Sequence, residues 1–94
     1  MAHASHVTLP EAATGTLALV SRPDSSGDDL TGWYVLMPGV DGAELCFWLR
    51  GDYEGFEPVE FATGRMTYFG FQVGPWQPAD SPRTWTASMT REPA

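Results

Sequence analysis

Asp52, Glu54, Glu57 and Glu60 interleave four carboxylates with the rings of Tyr53, Phe56 and Phe61, and no basic residue falls between Gly51 and Phe61. Two chemistries use such a set. A glycosidase-type acid and base need two carboxyls held about 5–10 Å apart across a sugar, in environments that push their pKa values apart. A turn-rich stretch in a short chain rarely supplies the walls for that. A surface that meets a basic partner needs less, since rings give rigid contact area and acids give steering and charge-assisted hydrogen bonds. Asp52, Tyr53, Glu54, Phe56, Glu57 and Glu60 are therefore read as a candidate partner-binding face, against the plainer reading of solvated surface acids. Trp76, inside Gly74-Pro75-Trp76-Gln77-Pro78, joins them as the ring expected to be most exposed.

Catalytic residues are not evident. Cys46 is the single cysteine, and a thiol becomes a nucleophile only with a base or cation to lower its pKa. The two histidines, His3 and His6, lie at the N-terminus, so Cys46 is expected to pack on a sheet face as a small apolar group. No Gly-x-Ser-x-Gly elbow is present for a serine nucleophile. His3 would suit an amine-terminal copper or nickel chelate, but removal of the initiator methionine before Ala2 would shift it. Two imidazoles also fall short of a four-ligand zinc site. Asp24-Ser25-Ser26-Gly27-Asp28-Asp29 carries calcium-friendly oxygens without the spacing of an EF-hand loop. No cofactor and no metal are expected, and the residues point away from an enzyme.

Charge and composition bound the partners. Residues 1–60 hold ten acids and two arginines, whereas residues 61–94 hold two acids and three arginines. Binding to phosphate backbones is disfavoured, because that affinity rests on Lys/Arg displacing counterions. A protein with a basic surface remains, as does simple solubility charge. Lysine, asparagine and isoleucine are all missing, which a GC-rich bacterial or phage genome explains without selection on surface chemistry. A lone cysteine suits a reducing compartment, so the cytoplasm is expected. The longest aliphatic or aromatic runs, Trp33–Met37 and Leu45–Leu49, are too short for a signal peptide core or a membrane helix.

The elements that position these groups read as strands. Ninety-four residues make one domain with one modest core, and residues 1–7 read as a loose terminus. Turn-forming clusters at 22–32, 38–42, 51–58, 63–64 and 74–82 separate stretches that alternate with a period of two. Strands are expected over 16–21, 33–37, 43–50, 66–73 and 84–90, with a marginal one over 59–62. In the third, Ala43, Leu45, Phe47 and Leu49 share one face and Glu44, Cys46, Trp48 and Arg50 the other. Trp33 and Trp85 point inward. Thr8-Leu9-Pro10-Glu11 matches a capping pattern that allows at most one short helical turn over 9–14. The expected fold is all-β, an antiparallel meander of five to six strands curled into a barrel or stacked as a two-layer sandwich.

Three functions follow from this reading. The first is a small acidic protein-binding module, such as an inhibitor, immunity or accessory protein. The second is a small barrel that holds an apolar ligand or catalyses by shape, with Trp48, Tyr68 and Phe69 as its candidate pocket. The third is a passive structural subunit, for instance of a phage particle.

Overall fold

The computed structural model describes residues 8–92, so the readings of residues 1–7, His3 and His6 lie outside the described residues. Three long strands come first: β1 (Ala12–Pro23), β2 (Asp29–Pro38) and β3 (Glu44–Arg50). A helix, α1 (Pro58–Tyr68), then leads to β4 (Gln72–Val73), β5 (Gln77–Pro78) and β6 (Thr84–Thr90). β6 returns to pair with β1, giving the order β3-β2-β1-β6-β4, with β5 on the same edge of β6 as β4. Every pairing is antiparallel. The all-β class holds, as a curled half-barrel with one short helix.

The concave face of the sheet carries Leu17, Trp33, Val35, Met37, Leu49, Ala87 and Met89, all buried. Ala62 and Met66 of α1, with Phe71, close over them. Each large apolar side chain so buried contributes about 1.5–3 kcal/mol relative to exposure. The helix thus fills the space a closed barrel would have enclosed.

The location of that helix differs from the sequence expectation of strands over 59–62 and 66–73. Val59, Ala62, Met66 and Phe69 recur at three- and four-residue intervals, a helical stripe. Pro58 occupies the first turn, where its missing N–H costs nothing, and Glu60 and Arg65 complement the helix dipole at opposite ends. Gly70, at φ +92°, ends it. The Phe71 N–H reaches the Met66 carbonyl (3.1 Å) and the Gly70 N–H that of Thr67 (2.9 Å), a Schellman stop that needs a left-handed residue. Thr63-Gly64, read as a turn, is tolerated inside the helix because Thr63 Oγ1 donates to the Val59 carbonyl and Gly64 faces open space. The expected helical turn over 9–14 is instead extended: Ala12 pairs with Thr90, and the Arg91 N–H bonds the Glu11 carbonyl at 2.8 Å. Pairing with a neighbouring strand satisfies backbone groups that one isolated turn would leave open.

A second departure re-aims a side chain. The β2–β3 register shifts between Trp33 and Tyr34, which pair with Arg50 and Trp48. Leu49 is the extra residue of this bulge, so Arg50 swings off the Cys46–Trp48 face to the Trp33 side, where it meets the β3–α1 loop.

The outer face is covered in part by the β1–β2 hairpin bending back over it. Tyr34 Oη donates to the Leu30 carbonyl at 2.7 Å, although four residues of straight strand would span roughly 13 Å, out of a tyrosine's reach. The bend lets Arg22 reach Glu44 of β3 at 2.8 Å. Trp48 stands edge-on to Tyr34, ring centres 5.3 Å apart, and lies over Gly32. At the hairpin tip, Asp24 Oδ1 accepts from the Ser26 N–H (2.8 Å), the Ser26 hydroxyl (2.6 Å) and the Asp28 N–H (3.1 Å). The Ser26 hydroxyl foremost holds the Asp24 carboxyl below its usual range. Oxygens that looked suited to calcium thus brace a turn.

Candidate functional site

The β3–α1 loop and the start of α1 hold the acidic, aromatic segment, and the fold brings to it two arginines that flank it in sequence and one, Arg83, that is distant. Arg50 lies 4.9 Å from the ring centre of Tyr53 and 5.1 Å from that of Phe56. Arg65, one helical turn after Phe61, sits 5.6 Å from its ring. Arg83, at the start of β6, bonds Asp52 Oδ1 at 2.8 Å and places its guanidinium 5.1 Å from the Trp33 ring centre. Three guanidinium groups thus stand among the rings of the acidic segment, one of them bonded to Asp52, and the local field is weaker than the charge of residues 1–60 suggests.

Each expected residue has a definite place. Asp52 is ion-paired. Glu54, Glu57 and Glu60 are exposed; Glu57 is the helix N-cap residue, and Glu60 favours the positive end of the helix dipole. Tyr53 is 61% exposed. Phe56 is half-buried, 5.3 Å from Phe61 and 6.4 Å from Trp33 between ring centres. Trp76 is a correction. Its loop folds against α1, its ring is half-buried, and its Nε1–H donates to Thr63 Oγ1 at 2.9 Å. An indole with one polar atom gains by pairing that atom and burying the rest.

Trp48 is not brought together with Tyr68 and Phe69, whose rings stand edge-on to each other with centres 5.4 Å apart. Trp48 lies on the outer face with Tyr34, whereas Tyr68, at the end of α1, is 83% exposed. Phe69 stacks edge-on with Phe47 at 5.1 Å and lines an open depression with Leu9, Leu45, Cys46 and Phe47. A barrel interior was the reason for grouping them, and α1 occupies that space.

Cys46 is exposed rather than packed, and its thiol donates to Glu44 Oε1 at 3.3 Å. Partial burial pushes its pKa up, and the Glu44 carboxylate adds to the shift. Such a thiol is protonated at neutral pH and a poor nucleophile. Among the described residues no three His, Cys, Asp or Glu side chains converge as a metal site, and no helix is long and apolar enough to cross a membrane.

Two recesses border the acidic loop. The first is an open groove on α1 between Phe61, Gly64, Arg65 and Tyr68. The second is a cleft of about 450 Å³ lined by Trp33, Asp52, Tyr53, Phe56, Arg83 and Trp85, among others. Sequence reasoning missed Arg50, Arg83 and Trp33 as members of this surface. Arg50 lies directly before the segment in sequence, and for Arg83 the solitary arginine in Ser81-Pro82-Arg83 before the last strand was the available signal. Compared with family models, curated proteins and solved structures, the chain matches none.

Proposed function

We propose that this chain is a binding module that holds another protein against the face built from the β3–α1 loop and α1. The observation that carries the reading is the arrangement of unspent contact groups. Tyr53 and Tyr68 stand 61% and 83% exposed beside Glu54, Glu57 and Glu60, whereas the two ion pairs among the described residues are Arg22–Glu44 and Arg83–Asp52. Tyrosine and arginine are the residue types that dominate contact energies, and free carboxylates select a cationic partner. Role classes compatible with such a face are inhibitor, immunity factor or accessory subunit, and the lone thiol of Cys46 suits the cytoplasm. The net charge of −7 would speed encounter with a basic partner. A barrel-held apolar ligand gains no support, because Trp48 lies apart from Tyr68 and Phe69 and α1 packs into the concave face of the sheet.

The test is capture from the native host with the purified protein, run beside Tyr53→Ala and Tyr68→Ala. One enriched protein is expected for the unaltered chain, with an association rate that falls as salt rises from about 50 to about 500 mM. The ring variants should dissociate faster by roughly 1–3 kcal/mol. Undiminished binding in both variants would remove this face from consideration.

A further inference from the structure

The cleft between the β3–α1 loop and the start of β6 already holds a guanidinium, and it belongs to the chain itself. Arg83 forms part of its wall and makes there the two contacts a bound arginine would make: a charged hydrogen bond to Asp52 at 2.8 Å and a place over the Trp33 ring at 5.1 Å. Tyr53, Phe56 and Trp85 complete the aromatic lining, and Glu54 adds a second carboxylate. Without Arg83 the walls would be four rings and two acids, a composition that selects a planar organic cation.

Two features favour release of the internal arginine. Its side chain is 55% exposed and that of Asp52 45%, so the pair is solvated and weak. Arg83 is the one non-glycine residue at positive φ (54°) among the described residues, a conformation that side chains with a Cβ resist. The indole N–H of Trp33, a residue only 2% exposed, is buried with no hydrogen-bond partner.

We infer that the cleft is a binding site for an arginine side chain of a partner protein, which enters by displacing Arg83 from Asp52 and Trp33. This rests on the protein-binding reading above and names the group recognised. Arg83 then acts as an internal competitor, so only a ligand that outbids it occupies the site.

The probe is N-acetyl-arginine methylamide, titrated against the whole protein and followed by the Trp33 and Trp85 indole N–H resonances, with N-acetyl-lysine methylamide alongside. Saturable shifts of the Trp33 signal are expected with the arginine probe and weaker ones with lysine, which lacks the planar fork. Arg83→Gly and Arg83→Asn both remove the competitor and suit a positive φ, so one folded variant suffices. An exposed pair of ordinary strength, once removed, should tighten the probe about two- to sixfold. The gain should vanish in the Asp52→Asn background. If it persists there, loss of a repelling charge explains it and the proposal fails. Absence of shifts at Trp33 and Trp85 in both the unaltered protein and the Arg83 variants would also overturn it. Partner capture that still depends on Tyr53 and Tyr68 would then leave the binding module standing without an arginine cleft, whereas capture indifferent to both rings would refute the module itself.

Discussion

Gly32→Ala is expected to destabilise the protein even though alanine is the better residue in a strand. A methyl group at position 32 would lie 2.6 Å from Cη2 of Trp48 and 2.7 Å from the Arg50 carbonyl oxygen. The Trp48 ring has little freedom to withdraw, since it stands against the buried Tyr34, and the Arg50 carbonyl is backbone at the bulge. Overpacking of this kind costs about 1–3 kcal/mol, from which the conformational gain of Gly→Ala, about 0.5–1 kcal/mol, is subtracted. A net loss of about 1–2 kcal/mol lowers Tm by about 5–15 °C in a domain this small. Gly64→Ala is the control with the opposite sign. It lies inside α1 with no atom within 4 Å of the added methyl, so it should gain close to 1 kcal/mol. Urea unfolding followed by far-ultraviolet circular dichroism measures both. Equal stability of Gly32→Ala and the unaltered protein would refute the close approach of Trp48 and the β3 backbone to Gly32.

The Glu44 carboxyl is held below its ordinary value, first by its hydrogen bond from Arg22 and with help from the Cys46 thiol. A depressed acid contributes stability that is complete above its unfolded pKa and is lost as pH falls through its folded pKa. Glu44→Gln should therefore flatten the acid limb of a stability profile below about pH 4.5 relative to the unaltered protein; an unchanged limb would show that the Arg22 pair is not populated in solution. Trp76→Phe keeps a ring but removes the Nε1–H that bonds Thr63, and should cost about 1 kcal/mol in urea unfolding while leaving partner binding unchanged. A loss of binding without a loss of stability would restore Trp76 as a contact residue.

The alternation of Ala43 to Leu49 and of Thr84 to Thr90 was enough to place two strands and their inward faces, because a period of two is a property of the backbone alone. The turn cluster at 38–42 likewise located the β2–β3 connection, and Trp33 and Trp85 could be assigned to the interior from their parity. The stretch over 58–71 was also written locally, in the Val59–Ala62–Met66 stripe and the Gly70 stop. It was obscured because Thr67, Phe69, Phe71 and Val73 alternate as a strand would, and the choice depended on which stripe the sheet could bury. Charge was least legible. The acidic run between Gly51 and Phe61 reads as a bare negative patch, yet pairing of β3 with β2 through a bulge delivers Arg50 to it, and the return of β6 beside β1 delivers Arg83. Side-chain electrostatics acts through space over a few ångströms, so the character of that surface follows from contacts such as Arg83–Asp52, between residues 31 positions apart. The sequence by itself determined that rings and carboxylates would share a loop, and only the tertiary structure decided which cations would sit among them.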